Sequence, residues 1–163
     1  MTLSIPARVG AALLIQLALV VAAVAPQLSA RVSGEEYLLR VAPLDPIDPF
    51  RGAYVTLDYP DLRDADGSQP SGFDEGERGT VFIPLVQEGD VWVMTQYSRT
   101  RPDSSPYLAC DDHDWQISCG IESWFLPQDD ARALERSVAD GDSVARVRID
   151  GRGNAALVAV ESR

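Results

Sequence analysis

The pattern of hydrophobic and polar positions divides the chain into an apolar N-terminal segment and a longer region of short alternating runs. From Val9 to Ala25, Gln16 is the only polar side chain. A helix of that length measures about 25 Å, near the short end of what spans a bilayer core. Residues 5–8 can extend it if Arg8 reaches the interface. The pattern therefore predicts one N-terminal transmembrane helix that contacts the lipid bilayer through residues 9–25.

The flanks of this segment predict its topology. Arg8 and the amino terminus place positive charge before the helix, so we expect the terminus inside and the rest of the chain outside the cytoplasm. A cleaved signal peptide is the alternative, because Ala23-Val24-Ala25 has the form of a cleavage site. Pro26 fits a peptidase poorly at that cut, although cleavage after Ala30 stays open. Both interpretations export the domain.

We therefore divide the chain into residues 1–30, a membrane anchor or uncleaved signal with linker, and residues 31–163, an extracytoplasmic β-rich domain. Gln27 to Gly34 is expected to be the linker itself. Runs of β-type residues follow it, bounded by turn residues. These predicted strands are Tyr37 to Ala42, Ala53 to Tyr59, Thr80 to Val86, Val91 to Tyr97, Val144 to Ile149 and Ala155 to Val160.

Turn chemistry completes the predicted fold. Residues 87–90 and 150–154 carry the Gly and Asn that close hairpins. Residues 129–138 have helical spacing, and residues 61–79 are typical of a long exposed loop. We predict a mainly β domain, an antiparallel sheet or small barrel with one short packed helix, behind one transmembrane helix.

Charge narrows the classes of partner. The chain has a formal net charge of −11, and all 25 carboxylates lie from Glu35 onward. A surface of this sign repels phosphate backbones, so no nucleic-acid binding is expected. All 14 basic side chains are arginine.

The same composition argues against common catalytic arrangements. Without lysine a Ser-Lys dyad is excluded, and any histidine-based triad has to use His113, which lies in an acidic run with no Gly-x-Ser-x-Gly elbow in the chain. We expect no enzyme activity, no catalytic residues and no cofactor.

Cys110 and Cys119 allow two interpretations. They can form a disulfide, or they can join His113 in a partial metal site of the form C-x2-H-x5-C. An exported chain meets an oxidising compartment and no fourth zinc ligand is evident, so the disulfide is favoured and no metal is expected. The disulfide would stabilise the domain by about 2.5 kcal/mol in the chain-entropy model.

Other side chains suggest a ligand-binding module for a cation or a cell-envelope glycan. Glu122, within an apolar strand, needs a partner, and an arginine is the ordinary one. Acidic clusters could bind calcium but are better explained as solvated loop charge. They are Asp45/Asp48, Asp58/Asp61/Asp64/Asp66 and Asp111/Asp112/Asp114. Aromatic residues could form a sugar platform, although Trp92 and Trp124 are better explained as core. They are Trp92, Trp115, Trp124, Tyr97 and Tyr107.

A first motif lies in residues 43–59, PLDPIDPFRGAYVTLDY, and a second begins at Gly120. Together they resemble the bacterial family named for its GDYXXLXY motif, with Ala53 in place of the family's aspartate. The second is a Gly-(hydrophobic)-Glu strand that ends in Phe-x-Pro, and Asp150-Gly151 resembles the family's final hairpin. The matching positions are Gly52, Tyr54, Leu57 and Tyr59 in the first motif and Gly120, Glu122, Phe125 and Pro127 in the second.

This resemblance implies a membrane-anchored extracytoplasmic domain, often encoded beside multi-pass membrane proteins, and it supplies no catalytic residues. The leading hypothesis is thus a non-enzymatic accessory or interaction domain on the bacterial cytoplasmic membrane, associated with a multi-pass membrane protein. The alternative is the ligand-binding module described above. An enzyme built on Glu122 comes third.

Overall fold

The structure, a computed structural model, describes residues 4–43, 54–63, 78–113, 117–125 and 143–162. Within these ranges, one long helix, α1, precedes eight strands, and a short 3₁₀ turn follows the second strand. The bounds are α1 (Ile5–Ser33), β1 (Glu35–Pro43), β2 (Tyr54–Asp58), the 3₁₀ turn (Pro60–Leu62), β3 (Thr80–Glu88), β4 (Val91–Met94), β5 (Tyr107–Asp111), β6 (Ser123–Phe125), β7 (Ser143–Ile149) and β8 (Ala155–Ser162).

The strands form two antiparallel sheets. The larger sheet has the order β6-β2-β1-β7-β8, and the smaller has the order β4-β3-β5. In the larger sheet Tyr37 lies opposite Val147, and the β7–β8 register shifts between Arg146 and Val147. In the smaller sheet, β4 and β5 each pair with the central strand β3.

The two sheets enclose one core in a nearly closed, barrel-like arrangement. Tyr37 of β1 packs edge-on against Trp92 of β4, with ring centroids 5.0 Å apart. At the other side, the Ala109 N–H of β5 donates to the Gly153 carbonyl in the β7–β8 turn at 2.9 Å. The most deeply buried side chains are apolar residues of both sheets and of the loop before β6, among them Leu39, Leu57, Val81, Ile83, Leu108, Ile121 and Val147.

This architecture confirms the predicted mainly β fold behind one N-terminal helix. The six predicted strands are present, and so are both hairpins, with β3–β4 and β7–β8 as their strands. Sequence reasoning did not predict β5, because YLACD is short and runs into acidic residues. The predicted loop begins with the 3₁₀ turn, while residues 64–77 and the predicted helix at 129–138 lie outside the described residues.

The expected linker is wrong, because α1 continues without interruption through residues 27–33. Pro26 lies inside the helix, and its missing N–H costs one helical hydrogen bond. Contacts between the last two turns and the β domain offset that cost. Residues 6–33 form a helix long and apolar enough to cross a membrane, with a mean hydropathy of 2.3 in its most apolar window.

Candidate functional site

The two motifs of the sequence meet as neighbouring strands. β2 pairs with β6, with Tyr54 opposite Phe125. Just beyond this ladder the Leu57 N–H donates to the Glu122 carbonyl at 2.8 Å. We call the described residues Tyr54–Tyr59 and Ile117–Phe125 the signature cluster. The remaining predicted motif positions, Gly52 and Pro127, lie outside the described residues, as does Ala53.

Tyr59, which follows β2, joins the two halves of the signature cluster. Its side chain is buried, and its Oη donates to the Ile121 carbonyl at 2.8 Å. Burial raises the pKa of Tyr59 well above its usual value, and the negative charge of Glu122 acts in the same direction. The phenol therefore stays protonated and serves as a buried donor, while Leu57 beside it fills the core.

Glu122 holds the loop before β6. Its carboxylate accepts the Cys119 N–H and, at 3.3 Å, the Ser118 Oγ–H. Gly120 between them has φ +77°, a conformation that favours glycine. Among the described residues, the partners of this carboxylate are a main-chain N–H and a hydroxyl of its own loop, and the expected arginine is not one of them.

The predicted disulfide between Cys110 and Cys119 is present. It ties β5 to the loop before β6, and two hydrogen bonds of 2.8 Å between Asp111 and Ser118 run beside it. Because both sulfur atoms are bonded to each other, neither is a thiolate ligand for the alternative site with His113. The disulfide thus fastens the signature cluster to the smaller sheet.

The acidic run that follows β5 has local partners. The exposed His113 Nδ1 lies 2.6 Å from Asp111 Oδ1, and hydrogen bonds from the His113 main chain and ring lower the pKa of Asp111. Asp112 is buried against Arg99 and accepts the Gly79 N–H at 2.6 Å. The Arg99 hydrogen bond is the main cause that lowers the pKa of Asp112, although burial opposes it.

Two other described carboxylates of the predicted acidic clusters have separate partners. Asp61 pairs with Arg40 at 2.8 Å and Asp58 pairs with Arg63 at 2.6 Å. Within the described ranges, no group of three or more His, Cys, Asp or Glu side chains is arranged to hold a metal ion. The members of the predicted acidic clusters that lie outside the described residues are Asp45, Asp48, Asp64, Asp66 and Asp114.

The described aromatic residues of the predicted sugar platform do not lie together on one surface. Trp92 and Trp124 pack on the core, as expected. Tyr97 donates to the Leu62 carbonyl at 2.7 Å, and Tyr107 is buried. Trp115 lies outside the described residues. By contrast, Phe125 at the end of β6 is 74% exposed.

A second polar cluster, which sequence reasoning missed, lies where α1 meets the β7–β8 turn. Ser29 Oγ donates to Asp150 Oδ2 at 2.6 Å. The same buried carboxylate accepts the Arg152 N–H at 2.8 Å and the Asn154 side-chain amide at 2.8 Å. Burial raises the pKa of Asp150, but these hydrogen bonds together outweigh it and leave the pKa below the usual value. We call this contact, with Ala30, Arg31 and Gly34, the helix junction.

Small residues allow α1 to approach the sheet closely at the helix junction. Ala30 is fully buried, and the Gly34 N–H donates to its carbonyl at 2.9 Å. A Cβ at Gly34 would lie 2.9 Å from the carbonyl carbon of Ile149 and closer still to the Ala30 oxygen. The pair Ala30 and Gly34, four residues apart after an apolar span, was the available sequence signal.

Arginines complete the helix junction. Arg148 donates to the carbonyls of Arg31 and Gly34, the latter at 3.0 Å, and so satisfies groups at the carboxyl end of α1. Arg31 in turn donates to the Leu157 carbonyl of β8 at 3.3 Å. Helix α1 is therefore joined to the larger sheet by hydrogen bonds in both directions.

Comparison with known proteins supports the family resemblance of the two motifs and extends it over most of the chain. The model of a family described as GDYXXLXY protein matches residues 16–160, a range that starts within α1 and includes both the signature cluster and the helix junction. No curated protein and no solved structure matches the chain.

Proposed function

This chain belongs to the GDYXXLXY family, and from that premise we propose that it is a membrane-anchored accessory domain without enzymatic activity. The domain would lie on the outer face of the bacterial cytoplasmic membrane and act together with a multi-pass membrane protein. One observation carries the proposal most: α1 runs from its apolar span directly into the domain and is fastened there. A partner within the bilayer and the orientation of the domain are then coupled.

The role of the signature cluster supports a non-enzymatic function. Its described acidic and phenolic side chains include Asp58, Tyr59 and Glu122, and Asp58 pairs with Arg63 at 2.6 Å. The Tyr59 hydroxyl donates to a main-chain carbonyl, and the Glu122 carboxylate accepts a main-chain N–H and a hydroxyl. These contacts shape a loop and a strand pair, so the motif is explained by its contribution to the fold.

Two features support the proposed topology. Arg8 and the amino terminus carry positive charge before the helix, which favours an N-terminus inside the cytoplasm. The disulfide between Cys110 and Cys119 is of the kind that persists in oxidising compartments.

A fusion of alkaline phosphatase after Arg163 tests the topology. The fusion is expected to be active, whereas an inactive fusion would indicate the reverse topology.

A pull-down in mild detergent tests the partnership. Full-length protein is recovered from its own membranes beside a variant whose residues 9–28 are replaced by an unrelated apolar helix, with the junction residues 29–34 kept. We expect a stoichiometric multi-pass protein with the native helix and its loss with the replaced helix. Recovery of no such protein from either sample would contradict the accessory function.

A further inference from the structure

Four arginines surround the point at which α1 enters the domain. Arg31 belongs to the last turn of α1, and the Arg152 guanidinium donates to Ser29 Oγ at 3.2 Å. Arg148 donates to the last carbonyls of the helix. Arg101 donates to the Gly151 carbonyl at 2.9 Å and to Tyr107 Oη at 2.6 Å. We call these four residues the junction arginines.

Among the residues that the structure describes, the guanidinium groups of the junction arginines form no ion pair with a carboxylate. Their hydrogen bonds there go to carbonyl or hydroxyl oxygens. Asp150 lies beside them, but its carboxylate is buried and accepts hydrogen bonds from Ser29 and Asn154. A site of positive charge therefore stands out on a chain whose net charge is −11.

Arginines elsewhere on the larger sheet and near the 3₁₀ turn behave differently. Arg40 pairs with Asp61 at 2.8 Å, Arg63 pairs with Asp58 at 2.6 Å, and Arg146 pairs with Glu161 at 2.7 Å. Those charges are locally balanced. The contrast makes the three paired arginines a matched control for the junction.

The length of α1 places the junction arginines at the membrane surface. A bilayer core of about 30 Å takes up about 20 helical residues, which corresponds to Val9 to Leu28. The side chains of residues 6–28 are exposed, so this part of α1 projects from the domain. Ser29 is then the first residue beyond the core, and the Arg152 guanidinium contacts it directly.

We propose that the junction arginines bind the anionic headgroups of phospholipids, of the phosphatidylglycerol type, in the leaflet where α1 leaves the membrane. Arg31, Arg101 and Arg152 are exposed and supply this contact, whereas Arg148 holds the helix end. Guanidinium groups bind phosphate oxygens through paired, charge-assisted hydrogen bonds. The proposal rests on the membrane anchoring in the proposed function, and it explains why the domain stays close to a surface that its net charge would repel.

Lipid selectivity of the full-length chain tests this proposal. The protein is reconstituted in bilayers with spin-labelled phosphatidylglycerol or phosphatidylcholine, and the relative association of the two lipids is measured. We expect a preference of roughly fivefold or more for phosphatidylglycerol at low salt, which weakens as salt is added. The variant R31Q/R101Q/R152Q should lose the preference, while R40Q/R63Q/R146Q should keep it.

Several outcomes would overturn the headgroup site. They are equal association of both lipids with the native chain, an equal loss in the two glutamine variants, and displacement of the labelled lipid by inorganic phosphate, which indicates a site for soluble anions. The variant R31K/R101K/R152K keeps the charge and must keep the preference, so it decides the matter if the glutamine variant fails to fold.

The pull-down separates this proposal from the proposed function. If a partner is recovered and the chain shows no lipid preference, the headgroup proposal alone is contradicted. If the chain shows the lipid preference and no partner is recovered, only the proposed accessory function is contradicted. If R31Q/R101Q/R152Q loses the partner while the native chain shows no lipid preference, the junction binds protein, and the lipid proposal is wrong.

Discussion

In the signature cluster, Tyr59 and Glu122 bind groups of the same β domain, whereas at the helix junction Ser29 and Asp150 join the domain to the apolar helix α1. The first cluster is defined by the family motif, yet its polar atoms serve the fold. The second joins an apolar helix to a β domain, and the arginines beside it have no carboxylate ion pair among the described residues. Motif residues and the residues that orient the domain are therefore different sets.

The largest expected effect comes from the core side of the signature cluster. Leu57 is 1% exposed, so Leu57→Ala should lower the free energy of unfolding of the domain by about 3 kcal/mol through lost burial and a cavity. Denaturant unfolding in micelles, followed by tryptophan fluorescence, measures it. The control is Leu28→Ala, whose side chain is 55% exposed and which should change little. A loss below about 1 kcal/mol for Leu57→Ala would contradict the motif's structural role.

At the helix junction, Gly34→Ala should lower the free energy of unfolding by about 2 kcal/mol, because the new Cβ meets backbone atoms that cannot move aside independently. Those atoms belong to Ala30 and Ile149. Gly151→Ala is the matched control, since a Cβ there meets no atom within 4 Å. Equal unfolding energies for the two variants would show that α1 does not pack as closely as described.

A smaller effect is expected from the buried phenol. Tyr59→Phe leaves the Ile121 carbonyl without its donor and should reduce the free energy of unfolding by about 1–2 kcal/mol. Tyr37→Phe provides the comparison, because Tyr37 donates at 3.1 Å to the exposed Glu35 and its loss should cost less. The reverse order of the two costs would indicate that the Tyr59 bond contributes little.

The smallest expected effect is a dependence on pH at the helix junction. The folded pKa of Asp150 lies below its unfolded value of about 3.9. Its contribution to stability is therefore present above about pH 4 and is lost as the pH falls through the lower folded pKa. Asp150→Asn should flatten part of the acid loss of stability, measured by unfolding between neutral and acidic pH. Asp112, whose pKa is also lowered, leaves a remaining slope. An unchanged acid slope in Asp150→Asn would rule out this contribution.

Local patterns were sufficient for much of the fold. Alternating apolar positions located the strands on both sides of residues 87–90 and 150–154, and the compartment argument favoured the bond between Cys110 and Cys119. β5 was missed, since its five residues carry too short a pattern. Among the described residues, Glu122 accepts a nearby N–H and a hydroxyl where an arginine was expected, because that choice depends on how the loop closes.

The helix junction was beyond local patterns for a related reason. Pro26 and the polar residues after it indicated a linker, whereas the segment is helical and contacts residues far away in sequence. Ser29 and Asp150 are separated by 121 positions. Whether a carboxylate balances the charge of each junction arginine likewise depends on which groups surround it in space. Composition alone therefore showed only an anionic chain.

The most direct test of the coupling between α1 and the β domain is a distance measurement by pulsed electron spin resonance. Spin labels are placed at Leu17→Cys in the apolar span and at Glu88→Cys, the exposed last residue of β3, in a chain whose native cysteines are bonded to each other. A single narrow distance distribution is predicted for the native junction. A flexible Gly-Ser insertion after Ser33 should broaden it. A native distribution as broad as that of the insertion variant would contradict a fixed helix junction.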